Sequence, residues 1–179
     1  MNIVLLEPKN RENLATTLRS GQNFSVNTVF VIGGFVKDQY KGNIHKFSHQ
    51  MNTQNSLINV TLIYFDCLTD FLAHLPAQTT LVIVESIEVS IDLRNFVHPD
   101  NATYMLGREA KGMTKSDLEE IQQYFRDLNK GIPKEYIGKH DKTAYLTFVK
   151  IATPQSLNLG VCASIIMYDR HSKLSSLGK

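Results

Sequence analysis

Apolar and β-branched residues gather into short runs at Ile3–Leu6, Thr28–Ile32, Ile58–Phe65, Thr80–Val84, Tyr104–Leu106 and Tyr145–Ile151. Runs this short, rich in Val, Ile and aromatic side chains and bounded by polar or turn residues, predict strands. Between them the period changes. Leu14 and Leu18 stand four apart before Gly21, and Leu118, Ile121, Phe125 and Leu128 recur three or four apart, as one buried face of a helix requires. Thr114-Lys-Ser-Asp opens the second of these helices, with Thr114 or Ser116 as its cap. The stretch QSLNLGVCASIIMYD begins the clearest helix of all, roughly Ser156 to Lys173, apolar or small from Leu159 onward. Strands alternating with helices predict an α/β domain with a largely parallel sheet.

Two polar stretches interrupt the alternation. Lys37–Ser56 and Asn129–Thr143 carry Asn, Gln, His, Gly and Pro, and are expected to be surface excursions on one core. A single domain over 1–179 is the simplest organisation for a chain of 179 residues.

Composition narrows the class further. Hydrophobic residues make up 42% and charged residues 20%, ordinary values for a soluble globular protein. No apolar run has the length of a membrane span, and MNIVLLEPKN lacks the layout of a secretion signal. Cys67 and Cys162 both have apolar neighbours, so buried thiols in a reducing cytoplasm are expected. His45 and His49 alone have helical i,i+4 spacing, without a third ligand, and no metal site is expected. The net charge of +2 permits an anionic partner without demanding one.

Three loops have unusually specific compositions, and in a parallel sheet ligands bind beyond the carboxyl ends of strands. EPKNRENLATTLRS follows the first strand, with Asn13 as the expected helix cap and Arg19 one turn beyond Ala15. YMLGREAKGMT brings Gly107 directly after a strand and Gly112 five residues later, where a glycine permits close backbone approach or positive φ. In the third, Pro154 precedes Ser156-Leu-Asn158, whose side chains are expected to cap the last helix. Dinucleotide and phosphate-loop glycine motifs are both missing.

Taken in order, Glu-Pro-(x)4-Asn-(x)5-Arg, Gly-x-Glu-x-x-Gly and Ser-Leu-Asn-Leu resemble the three motifs of the TrmH-like class of SPOUT RNA methyltransferases. The resemblance runs from Asn2 to about Arg170. It implies a parallel sheet flanked by helices whose C-terminal segment forms a trefoil knot, a homodimer, S-adenosylmethionine as methyl donor, and a ribose 2′-hydroxyl of tRNA, or next rRNA, as acceptor. A knotted RNA-binding protein that has lost methylation is the alternative. By the same resemblance, Val84, Glu85, Ser86, Leu106, Gly107, Ile151, Ser156 and Leu157 would hold the donor. Asn13, Arg19, Glu109, Ser156 and Asn158 match the polar active-site positions.

Arg19 has two open roles at the 2′-hydroxyl: a base with a lowered pKa, or a cation stabilising the developing alkoxide. Glu109 is expected either to orient Asn13 or Arg19 or to bind backbone amides. Lys9, Arg11, Arg108 and Lys111, joined by Lys115, are expected to form a basic collar for RNA phosphates. Ala15 and Thr16 depart from the family pattern, which often has Gly and then Asn or Ala there.

Overall fold

The computed structural model describes residues 1–43, 60–76, 78–130 and 145–177. Most of the two polar stretches, with His45 and His49, lies outside the described residues, as does the start of the run at Ile58. Among the described residues, seven strands form one sheet: β1 (Asn2–Leu6), β2 (Thr28–Ile32), β3 (Thr61–Phe65), β4 (Thr80–Val84), β5 (Ile91–Asp92), β6 (Ala102–Leu106) and β7 (Tyr145–Lys150). Their order is β3-β2-β1-β6-β4-β7-β5, and every pairing is parallel. Every strand therefore ends on the same edge of the sheet, and the loops after β1, β4, β6 and β7 emerge side by side.

The central strands are mostly apolar because both faces of the sheet are covered. β1 and β6 are buried along their whole length. Successive residues point to opposite sides. Ile3, Leu5, Val82, Val84, Tyr104 and Leu106 pack with Leu14 and Leu18 of α1 (Arg11–Asn23) and with Leu159, Ala163, Ile166 and Met167 of α5 (Leu159–Leu177). Val4, Leu6, Leu81, Ile83 and Met105 pack on the other side. Their partners are Leu68, Phe71 and Leu72 of α3 (Leu68–Ala73) and Ile121 and Phe125 of α4 (Lys115–Leu128). The short α2 (Gly34–Tyr40) adds Phe35 and Val36 to the first layer.

α1 and α5 cross closely. A Cβ on Gly160 would stand 3.0 Å from Thr16 Cβ and 3.2 Å from Asn13 O. Ser20 and Ser164 hydroxyls meet nearby at 2.7 Å. Farther along α5, Asp169 accepts from buried His98 (2.7 Å) and from Lys173 (2.8 Å), and His98 Nδ1 lies 2.6 Å from the Tyr104 hydroxyl. These polar contacts tie the last helix to the segment between β5 and β6.

Helix starts differ from the sequence expectations at two of three places. Thr114 does cap α4, in a reciprocal capping box with Asp117. α1 begins earlier than expected: Asn10 takes the cap position and Asn13 lies inside the first turn, buried. α5 begins later, at Leu159, because Asn158 Oδ1 accepts the N–H groups of Gly160 (2.9 Å) and Val161 (3.2 Å). Asn158 is thus the cap, whereas Ser156 stands exposed two residues before that cap. Cys67 is exposed rather than buried, since it sits at the turn into α3.

Candidate functional site

The loops after β4, β6 and β7 enclose a cavity of about 790 Å³, within the usual size range of small-molecule sites. All eight residues assigned to the donor from the sequence line it. So do Glu109, Lys111, Lys150, Gln155 and Cys162.

The segment after β6 is a tight hairpin. Arg108 N–H donates to Gly112 O (3.0 Å), and Gly112 N–H donates back to Arg108 O (2.9 Å). Gly112 has φ +60°, and a Cβ on Gly107 would lie 2.4 Å from Gly112 C and 2.6 Å from Met113 N. A side chain at 107 would therefore strike backbone, so the two strands of the hairpin close only over a glycine. Below it, Glu85 Oε2 accepts Met113 N–H at 2.7 Å and Oε1 accepts Ser86 N–H at 3.0 Å. The loop after β7 is held by its own contacts, with Thr153 Oγ1 donating to Gln155 O at 2.8 Å.

Arg108 and Glu109 join this hairpin to the loop after β1. Glu109 Oε1 accepts the backbone N–H groups of Lys9 (3.0 Å) and Asn10 (3.1 Å), and Oε2 accepts the Asn10 side chain (2.5 Å). Of its two expected roles, binding of backbone amides is the one these contacts show. Arg108 grips Glu7 with two bonds of 2.7 Å and also donates to Asp117. Those hydrogen bonds hold the Glu7 carboxyl below its ordinary value. Burial pushes Asp117 up, but Arg108 and Thr114 outweigh it and the carboxyl is lowered. The guanidinium expected at an RNA phosphate is thus turned into the fold, with its side chain only 16% exposed.

Other expected RNA contacts stand outward. Lys9, Arg11 and Lys111 are exposed; Arg11 pairs with Glu12 at 3.3 Å, and Lys115 with Glu119 at 3.6 Å. Arg19 and Asn13 do not line the cavity of their own chain. Arg19 is exposed on α1, while Asn13 is buried beside the α1–α5 crossing with no partner for Nδ2 among the described residues. Asn158 is spent on capping α5. The structure therefore gathers Glu109 and Ser156 at the donor-sized cavity, while Asn13, Arg19 and Asn158 are not among the residues lining it.

Sequence reasoning missed the side chain of Glu85 and the thiol of Cys162. Burial, reinforced by the charge of Glu85, pushes that thiol up to about 12. The signal for Glu85 is an acid placed immediately after a buried strand, though its partner Met113 lies 28 residues away in sequence.

Residues 1–126 match the SpoU rRNA Methylase family. Among solved structures, one described as giving insight into the 2-OH methylation of C/U34 on tRNA has a TM-score of 0.66 at 19% identity, covering 98% of this chain and 96% of that one. The SpoU methyltransferase AviRb from Streptomyces viridochromogenes, in complex with AdoMet, has a TM-score of 0.67 at 14% identity over 98% of this chain and 61% of its own. The TrmH/SpoU tRNA modifying enzyme of A. aeolicus has a TM-score of 0.64 at 17% identity, over 98% and 76%. No curated protein matches the chain by sequence.

Proposed function

We propose a reaction for this chain from the premise that it belongs to the SpoU rRNA Methylase family: methyl transfer from S-adenosylmethionine to a ribose 2′-hydroxyl of RNA. The observation that carries it is the convergence of three loops, separated by tens of residues in sequence, on one cavity beside Gly107 and Ser156. Its glycine-cradled floor and mixed polar and apolar walls fit a nucleoside donor. Val84, Leu106, Ile151 and Leu157 supply apolar surface for a purine, and the backbone at Glu85, Ser86 and Gly107 is within the same wall. When bound, the donor supplies an electrophilic methyl on a sulfonium.

The protein's own contribution is placement. Methyl transfer needs an in-line approach by a hydroxyl stripped of water, so a rigid, walled pocket supplies much of the acceleration. Ser156 faces the cavity, and Glu109 fixes the neighbouring loop through Lys9 and Asn10. Arg19 is assigned to the acceptor hydroxyl and comes from a second copy of the chain. Supporting that assembly, Arg19 is exposed on α1, and Val161 and Tyr168 are exposed on α5, the helix packed against it. Either role for Arg19 fits this geometry. Recovery of activity at raised pH by Arg19→Lys would favour the base, and failure of Lys to substitute would favour the fork of donors.

Transfer RNA is the first target and rRNA the next, because one neighbour of nearly equal length is described for tRNA. Lys9, Arg11 and Lys111 are the phosphate contacts, and Arg108 is withdrawn from that set. The trefoil knot belongs to this reading, with β7 running between β4 and β5 as its support, as do the single domain and a cytoplasmic setting. No helix among the described residues is long and apolar enough to cross a membrane.

Incubation with methyl-labelled donor and total tRNA or rRNA, followed by alkaline hydrolysis, tests the reaction. Label is expected in alkali-resistant dinucleotides, since a 2′-O-methyl group blocks cleavage. Label on a base contradicts the assigned atom, and RNA binding without label supports the inactive alternative.

A further inference from the structure

The cavity walls follow three neighbouring strands, and one residue is fastened to all of them. Glu85 comes directly after β4. Its N–H donates to Val149 O near the end of β7 at 3.0 Å, and its carbonyl accepts from Ser90 Oγ at 2.6 Å. With the main chain pinned on both sides, the carboxylate has a fixed origin. One oxygen takes Ser86 N–H at 3.0 Å and the other takes Met113 N–H at 2.7 Å. Met113 is the residue at which the 107–112 hairpin returns towards α4. Fit here is tight: a Cβ on Gly112 would lie 2.3 Å from Glu85 Oε2. Glycine at 112 and glutamate at 85 are therefore matched to one another across the floor of the cavity.

We propose that Glu85 is a positioning residue for the methyl donor, its carboxylate tying the β6–α4 hairpin to the end of β4 and so setting the separation of the cavity walls. The proposal rests on the reading of this cavity as the donor site. The carboxylate acts here as an acceptor rather than as a charge aimed at the donor. Both oxygens are already engaged by amide N–H groups, which offset much of the negative charge. Without it, Met113 N–H loses its acceptor and the hairpin is released from β4, while the hydrogen bonds inside the hairpin, between Arg108 and Gly112, remain. The consequence is a wider cavity in a chain that still folds.

The test is calorimetric titration of S-adenosylmethionine and of its thioether product, S-adenosylhomocysteine, into wild type, Glu85→Ala and Glu85→Gln. Glu85→Ala is expected to weaken both ligands by about tenfold, the scale of one hydrogen bond lost. Glu85→Gln keeps a carbonyl oxygen for Met113 and is expected to stay within about threefold of wild type. Steady-state assays should show the Glu85→Ala defect in the KM for donor, with kcat retained at saturation, a split that general loss of structure would not give. Wild-type affinity in Glu85→Ala overturns the proposal. So does a loss confined to the cationic donor, or a Gln variant as weak as the Ala variant, since either makes charge the operative property. A wild-type protein that takes up neither ligand overturns the donor-site reading itself, and the two failures are thereby told apart.

Discussion

Arg108 and Glu109 adjoin in sequence, carry opposite charges and hold different parts of the same loop. Glu109 fixes the amides of Lys9 and Asn10, and Arg108 fixes the side chain of Glu7 while also binding Asp117. Both carboxyls held by Arg108 are lowered, so their contribution to stability is fully present at neutral pH. It is lost as pH falls below about 4 through their depressed values. Arg108→Gln should therefore be clearly less stable than wild type in denaturant titrations at pH 7, with the gap narrowing at pH 3. A gap independent of pH would remove the ion pairs from the explanation. Gly107 gives a second prediction at this scale. Because a Cβ there meets backbone at 2.4 and 2.6 Å, Gly107→Ala must open the hairpin. Equilibrium dialysis should show donor affinity reduced by more than about tenfold, since overpacking against main chain has no flexible side chain to absorb it.

Between elements, the last helix is held by two unlike contacts. Its first half crosses α1 on Gly160 and Ser164, and its second half is tied through Asp169 to His98. Burial lowers His98, against the opposing pull of Asp169, with Lys173 and Arg170 also facing it and Tyr104 on the other ring nitrogen. The folded protein therefore takes up this proton at lower pH than the unfolded chain does. Stability should decline as pH drops below about 6.5, a window well above that of the carboxyls. His98→Gln is expected to flatten stability between about pH 7 and pH 5.5, and an unchanged slope would count against it.

The same scale shows what the amino-acid pattern could convey. Strands covered on both faces stand out as short apolar or β-branched runs, as Thr80–Val84 does and as Tyr104–Leu106 does for the last three residues of β6. Ile91–Asp92 does not, because two residues carry no period and the strand exists only by pairing with Val149 and Lys150. The six residues of Leu68–Ala73 are likewise too few to show a helical repeat. Asn13 reads as a cap because Asn caps helices, yet the true start is set by Glu109, 99 residues away from the Asn10 it holds. The inward turn of Arg108 was hidden for the same reason, since its partner Glu7 lies 101 residues away. The family resemblance pointed to eight residues that line one cavity; the partners that brace its walls are non-local and left little local trace.

At the scale of the whole molecule, the proposed site is divided between copies of the chain. In the proposed reading, the donor cavity of one copy is completed by Arg19 of a second, since Arg19 is not among the residues lining its own cavity. A mixing experiment follows from that division. Arg19→Ala and Gly107→Val are each expected to be inactive alone, and together to regain methylation, because a mixed dimer has one cavity intact with one intact Arg19 facing it. Both variants inactive in every mixture would place Arg19 and the cavity in the same copy. Underlying all of this is the claim that parallel strand ends, carrying loops far apart in the sequence, form one pocket for a sulfonium nucleoside. Titration of the full chain with S-adenosylmethionine, followed by calorimetry in the absence of RNA, tests that claim most directly. Saturable uptake of one donor per chain, abolished by Gly107→Val, is the predicted result. Absence of uptake, or uptake unchanged by that substitution, would contradict it.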